Sequence, residues 1–321
     1  MRYVEAGGAR LSVIGLGTWQ FGSREWGYGS AYADGEAGAI LNKALDLGIN
    51  LIDTAEIYAF GRSEKIVGQA LAGRRHQALV ASKVFPVMPL SRIVEQRGRA
   101  SARRLGIEQI DLYQVHWPNP VVPLGTTMRG MRSLRDAGVI DHVGVSNFSL
   151  GRWQEADVAL GSPVLSNQVQ YSLVQRQPER ELLGWASAND RVVIAYSPLA
   201  QGFLSGRYRA GQDSPRPGGM RAARPLFQTG NLEKGEALLA TLDRVAASHG
   251  ARPAQVALAW VVHHPNVVAI PGASSVAQVE SNAEAADLEL SAEEVGELDA
   301  ASAAFAPDTG PAAVIKARLH R

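Results

Sequence analysis

The sequence predicts an α/β fold: a (β/α)8 TIM barrel with an N-terminal β-hairpin and a long loop after strand 7. Three observations lead there. Short apolar runs alternate with amphipathic helical stretches along almost the whole chain, the pattern of parallel βαβ units joined by right-handed crossovers. Eight such runs follow the hairpin, enough to close a barrel. The rival, a doubly wound sheet, is expected to carry a glycine-rich phosphate turn after its first strand. Here Gly15-Leu16-Gly17-Thr18-Trp19-Gln20 lacks the third glycine and leads into a loop.

Taken in order, Arg2–Val4 and Arg10–Val13 read as the hairpin, because Gly7-Gly8 between them supplies the positive φ of a tight turn. Barrel strands are expected at Ile14–Gly17, Leu51–Asp53, Leu79–Lys83, Leu112–His116, Val143–Ser146, Val164–Gln168, Val192–Tyr196 and Val268–Ile270. Helical spacing of apolar residues predicts helices at Glu36–Leu47, Ser63–Leu71, Ile93–Leu105 and Met128–Asp136, with Gly48, Gly73, Gly106 and Gly138 as stops. Further helices are predicted at Pro178–Ala188, Leu232–Ser248, Pro253–His263 and Val276–Ala286. Pro253 suits a first helical turn, and Ser291 with Glu294 forms a capping-box pattern for a last helix. Gln201–Gly230 is rich in Gly, Arg and Pro and has no periodicity. It follows the seventh strand, so it would lie over the barrel mouth, and a loop this long is usually functional or disordered.

The 321 residues are read as one barrel domain, residues 1–321. No cysteine is present, which excludes disulfides and thiolate metal sites and fits a reducing cytosol. Charges nearly cancel, 32 Lys and Arg against 31 Asp and Glu, so neither nucleic acid nor an anionic membrane is indicated as a partner. The N-terminus has no apolar signal core, and no apolar run is long enough to span a bilayer. A cytoplasmic protein is the expectation. No apolar stripe in the sequence singles out an oligomer interface.

In such a barrel the loops after the strand C-termini carry the site. Along the chain the strand ends are Asp53, Lys83, His116, Ser146-Asn147, Gln168, Tyr196-Ser197 and Pro271-Gly272. Apolar strands ending in Asp, Lys and His are hard to explain by packing. Tyr58 follows Asp53 by one loop-length. Hydride reduction of a carbonyl leaves charge on oxygen, and an acid must supply a proton. A free tyrosine has a pKa near ~10, and a lysine cation favours the phenolate and lowers that value. A carboxylate keeps the lysine charged and in place, while a histidine can orient the carbonyl. Asp53, Tyr58, Lys83 and His116 supply these four groups. Each alone has a blander reading: a turn aspartate, a surface lysine, a core histidine, a rim aromatic. Their joint appearance in this order favours chemistry. Trp19, Phe21, Trp26, Tyr28 and Trp117 are read as lining an apolar pocket with Tyr58 and His116.

A series of motifs runs through the chain: Gly15-Leu16-Gly17-Thr18-Trp19, Asp53-Thr54-Ala55-Glu56-Ile57-Tyr58, Ser63-Glu64, Ser82-Lys83, Asp111-Leu112-Tyr113-Gln114-Val115-His116-Trp117-Pro118 and Gly144-Val145-Ser146-Asn147-Phe148. It continues with Asn167-Gln168-Val169-Gln170-Tyr171-Ser172, Ala195-Tyr196-Ser197-Pro198-Leu199 and Ile270-Pro271-Gly272-Ala273-Ser274-Ser275. In this order the chain resembles the aldo-keto reductase family, the bacterial and potassium-channel β-subunit-like branch more than the aldose reductase branch. The resemblance implies a barrel that binds NADP(H), less often NAD(H), without a separate dinucleotide domain. It implies Tyr58 as general acid in reduction and base in oxidation, Lys83 as its tuner, Asp53 as the support of Lys83, and His116 as the group that orients the carbonyl. It further implies Ser146, Asn147 and Gln168 at the carboxamide, and Tyr196 stacked on nicotinamide. Ser197, Pro198, Leu199, Gly202 and Leu204 match the pyrophosphate loop, and Gly272, Ser274, Gln278 and Asn282 the adenosine end. Gly17, Thr18, Trp19 and Arg207 are also expected at the cofactor.

One departure stands out. Many NADPH-preferring members have Lys at the position of Gly272 and Arg at that of Gln278, and a 2′-phosphate favours a planar cation. The long loop offers Arg207, Arg216, Arg221 and Arg224 instead. NADP(H) is therefore the favoured cofactor and NAD(H) the alternative. The expected activity is reduction of aldehydes and ketones, or the reverse on a sugar or polyol, with a small carbonyl or alcohol as partner. The competing readings are a redox-sensing, cofactor-binding subunit with slow turnover and a metal hydrolase. The latter would need carboxylate or histidine clusters at strand ends, where one histidine is found.

Overall fold

The computed structural model describes residues 1–23, 28–29, 34–211, 214–215 and 217–310. A two-stranded hairpin, β1 (Tyr3–Ala6) and β2 (Ala9–Ser12), opens the chain. Gly7 and Gly8 join its strands with φ of 54° and 83°, the two consecutive left-handed residues of the turn that matches strand twist. Eight parallel strands follow in sequence order: β3 (Leu16–Gly17), β4 (Leu51–Asp53), β5 (Leu79–Val84), β6 (Ile110–Val115), β7 (Ile140–Ser146), β8 (Ser166–Gln170), β9 (Val192–Tyr196) and β10 (Val267–Ala269). Parallel bridges Ile14↔Ala269 and Gly17↔Gly272 join the first strand to the last and close the sheet. The seam is tight: a Cβ on Gly17 would lie 2.8 Å from the Ile270 carbonyl oxygen. Glycine is thus required where the barrel shuts.

Strand alternation divides the core in two. One set of side chains, among them Leu51, Ala81, Leu112, Val192, Ile194 and Val268, packs inside the barrel with Ala6, Ala9 and Leu11 of the hairpin. The hairpin thereby plugs the barrel's N-terminal end. The opposite set packs against the helices. Those helices are α1 (Asp34–Asp46), α2 (Arg62–Ala70), α3 (Ser91–Leu105), α4 (Leu124–Asp136), α5 (Leu150–Leu160), α6 (Leu182–Ala188), α7 (Thr229–Ser248), α8 (Pro253–Val261), α9 (Val276–Glu284) and α10 (Ala292–Ala304). The Ser291–Glu294 capping box forms as expected.

Several elements differ from the expectations. Helix α5 was not among them, although Ser149 caps its start and Gly161 (φ 73°) its end. Its inward face is only Trp153, Ala156 and Leu160, a stripe too narrow to announce itself over an alternating sequence. The helix expected at Pro178–Ala188 divides into a short turn at Gln177–Arg180 and α6. The segment 201–230 is less irregular than its composition suggests. Short 3-10 turns occupy Ala200–Ser205, Gly219–Ala223 and Pro225–Phe227. Arg209 pins it to α7 through Glu236 and Asp243.

Candidate active site

The pleat that buries Leu51 and Ala81 inside the barrel turns Asp53 and Lys83 to the same interior, at its C-terminal mouth. There Lys83 is fully buried. Its ammonium donates to Asp53 Oδ2 at 2.7 Å, to the Thr54 carbonyl at 2.8 Å and to the Tyr58 hydroxyl at 3.2 Å. Three donors meet three acceptors, the condition for keeping a charge out of water. Burial lowers the Lys83 pKa, but Asp53 and Tyr58 outweigh it and leave the value above the ordinary one. The second Asp53 oxygen accepts from Gln168 Nε2 at 2.7 Å.

At Tyr58 burial is not overcome. Burial is the largest and raises its pKa, Lys83 lowers it, and the net result stays above the ordinary value. The expected effect of the lysine is present, but burial, joined by the Asp53 charge, outweighs it. His116 sits edge-on to Tyr58, with ring centroids 5.9 Å apart. Phe85 packs edge-on behind it at 6.0 Å, and Trp117 lies nearly parallel to it at 6.4 Å. Burial, then the Lys83 charge, pushes the His116 pKa down to about 3. The imidazole is therefore neutral around pH 7 and can donate or accept a hydrogen bond without bringing charge. Asp53, Lys83, Tyr58 and His116 thus converge from three strand ends, as the sequence suggested.

A second network continues across the mouth. The Ser146 hydroxyl donates to the Gln168 carbonyl at 2.8 Å, and Asn147 Nδ2 donates to Ser146 Oγ and to the His116 carbonyl. The Tyr196 hydroxyl donates to Asn147 Oδ1 at 3.0 Å. Asn147 holds φ at 62°, a left-handed turn that asparagine tolerates better than most residues. Gln168 faces both ways: its amide nitrogen is engaged by Asp53, while Asn147 N donates to its backbone carbonyl at 2.9 Å.

The remaining expected residues divide. Gly17 lies on the barrel seam, and the Thr18 hydroxyl is occupied by the Asp53 carbonyl and Ser63 Oγ. Trp19 and Trp117, 38% and 44% exposed, stand at the mouth. Phe21 and Tyr28 do not: both belong to the packed core, Phe21 with no exposed surface. The Arg62 guanidinium lies over the Tyr28 ring, 5.1 Å from its centroid. Trp26 and Arg216 lie outside the described residues. Ser197 (φ 51°) and Gly202 (φ 98°) bend the chain after β9. Pro198 is buried and Leu199 half-buried, while Leu204 lies wholly in the core. Arg207 and Arg224 are exposed, and Arg221 donates to the Gln201 carbonyl. At the other rim Gln278 Oε1 accepts from Ser274 N and Ser274 Oγ, and Asn282 is buried.

Gln20 is a residue that sequence reasoning missed. Its amide donates to the Ala273 carbonyl at 2.7 Å, and a Cβ on Gly272 would meet its Oε1 at 2.6 Å. The side chain of Gln20 occupies the space that a residue larger than glycine would enter.

The mouth fits a nicotinamide cofactor by its donor set. Ser146, Asn147 and Gln168 offer hydroxyl and amide groups suited to a carboxamide, and the half-buried Tyr196 ring offers a flat face. Among the described residues no group of three His, Asp or Glu side chains is placed to hold a metal ion, and no helix is long and apolar enough to cross a membrane.

The model of the Aldo/keto reductase family matches residues 13–303. The chain is 56% identical over 308 residues to the uncharacterized oxidoreductase Rv2298 of Mycobacterium tuberculosis, covering 96% of this chain and 94% of that one. Its fold is similar to that of the glycerol dehydrogenase from Gluconobacter oxydans, with a TM-score of 0.86 and 32% identity over 95% of this chain and 96% of the other. It is also similar to an aldo/keto reductase from Klebsiella pneumoniae solved with NADP and acetate, with a TM-score of 0.74 and 32% identity over 96% of each chain.

Proposed function

Since this chain belongs to the aldo/keto reductase family, we propose that it reduces aldehydes or ketones to alcohols with NADP(H), or runs the reverse on a polyol, with Tyr58 moving the proton. The observation that carries the reading is the contact of the Tyr58 hydroxyl with a buried lysine, 3.2 Å from Lys83 Nζ. The bound nicotinamide supplies or accepts the hydride. Tyr58 donates its proton to the carbonyl oxygen, and the Lys83 ammonium stabilises the phenolate left behind. Asp53, itself held by Gln168, keeps that ammonium in place. His116, neutral at the working pH, orients the oxygen and does not compete as an acid, because its pKa lies near 3. Burial of the lysine and carboxylate excludes water and strengthens each of these interactions.

Ser146, Asn147 and Gln168 would hold the carboxamide, with Tyr196 against the ring. NADP(H) is supported by the NADP-bound relative and by the exposed Arg207 and Arg224 on the segment after β9. The family match across 13–303 supports one barrel domain for residues 1–321. The test is steady-state oxidation of NADPH with 4-nitrobenzaldehyde, beside calorimetric titration of NADPH and NADH. Absence of turnover, or tighter binding of NADH, overturns the corresponding half of the reading.

A further inference from the structure

The segment from Asp53 to Tyr58 contains a second carboxylate, Glu56, that the proton chemistry does not use. Its side chain is 9% exposed. Oε1 accepts from the backbone N–H of Phe85 at 2.5 Å, and Oε2 accepts from Arg97 Nε at 3.0 Å. The Arg97 fork also reaches Glu56 Oε1 at 2.5 Å and the Val87 carbonyl at 3.2 Å. One carboxylate therefore joins three elements: the loop that presents Tyr58, the end of β5, and helix α3. The Phe85 partner matters, because the Phe85 ring is the one that packs edge-on against His116.

The chain beyond Tyr58 needs such an anchor. Ala59, Phe60 and Gly61 are all left-handed, with φ of 47°, 55° and 82°, a conformation unfavourable for alanine and phenylalanine. Phe60 is 98% exposed and adds no packing to offset this. Downstream the loop is tied by buried Glu64, which accepts from Ser82 Oγ and Arg104 Nε. Arg97 and Arg104 stand two turns apart on α3, on one face. A strained loop is thus clamped at both ends by the same helix.

We propose that Glu56, held by Arg97, is a positioning residue that fixes the Tyr58 hydroxyl relative to Lys83 and His116. It acts through the backbone of its own loop on one side and through Phe85 on the other. This rests on the reading of Tyr58 as the proton donor. Loosening the clamp lets the phenol drift from the ammonium, so it costs turnover and raises the pKa that turnover reports. The groups that face Tyr58 are Lys83 from β5, Asp53 from β4, His116 after β6 and Tyr196 from β9. None of them changes in the variants below.

The test uses the full chain with NADPH and 4-nitrobenzaldehyde. In Glu56→Gln one amide oxygen must serve both Phe85 N–H and the guanidinium. We expect kcat to fall about 10- to 100-fold, NADPH affinity to stay within about twofold, and the basic limb of the pH–rate profile to move to higher pH. Arg97→Lys keeps the charge but loses the fork, and should fall between. Wild-type kcat in Glu56→Gln overturns the proposal. So does a loss of activity that matches a loss of folded protein by circular dichroism, with the pH limb unmoved. Tyr58→Phe separates the two readings: if it still turns over, the assignment of Tyr58 fails, whereas a dead Tyr58→Phe beside a normal Glu56→Gln defeats the Glu56 proposal alone.

Discussion

Gln168 reaches across the barrel from β8 and donates to Asp53 Oδ1 at 2.7 Å, so the aspartate that supports Lys83 is itself supported. Both partners are buried, and removing one leaves a carboxylate oxygen without a donor. Gln168→Leu should therefore destabilise the fold by about 1–3 kcal/mol and lower kcat, while Gln168→Glu, placing a second carboxylate beside Asp53, should do worse. Thermal unfolding and steady-state kinetics of the pair check this; an unchanged Gln168→Leu would show the contact to be idle.

Tyr58→Phe removes one oxygen and little packing. Turnover should fall about 10²- to 10⁴-fold, the range of a lost acid–base group, with NADPH affinity unchanged by calorimetry. Retained turnover would assign the proton to another group.

Lys83→Met strips the partner from a buried carboxylate. The expected stability cost is about 3–5 kcal/mol, with turnover lost as well. In the alcohol-oxidising direction any residual rate should rise only at higher pH than in the wild type, because the cation that lowers the Tyr58 pKa is gone.

His116 gives a pH dependence with a definite sign. Its pKa is about 3 in the folded chain, against the ordinary 6.5. Between those values the unfolded chain binds more protons, so stability is lost as pH falls from about 6.5 toward 3, by up to about 1.4 kcal/mol per unit. Urea unfolding of wild type and His116→Gln across that window should show the wild type losing stability faster on acidification. The reduction rate should show no limb near 6.5 assignable to His116.

Gln20 and Gly272 offer a test of coenzyme choice. Gly272→Lys alone should gain little for NADPH, because Gln20 stands 2.6 Å from the new Cβ and is itself tied to Ala273. Coupling it with Gln20→Ala opens that space, and the double variant should raise the NADPH-over-NADH preference by about tenfold, one charge-assisted contact. Parallel titrations of the two coenzymes settle it.

Much of this could be read from the chain. The strand series, the plug hairpin and the tetrad are local signals: apolar period, Gly7-Gly8, and polar residues at strand ends. Phe21 and Tyr28 show where such reading stops, since an aromatic near a site packs inward or outward according to neighbours distant in sequence. Helix α5 escaped because its buried face is three residues wide. In the chain Gln168 reads as a cofactor residue alone, whereas its amide donates to Asp53, 115 residues away.

The barrel and the set of polar strand-end residues Asp53, Lys83 and His116, with Tyr58 one loop on, were legible in the chain, because strand period and residue chemistry are properties of short segments. The folded barrel sets which of those groups touch, which way the Tyr58 and His116 pKa values move, that Gln20 fills the space beside Gly272, and that Glu56 ties the Tyr58 loop to Phe85. Those outcomes depend on burial and on contacts between distant strand ends, and neither exists until the barrel closes at Gly17 and Gly272.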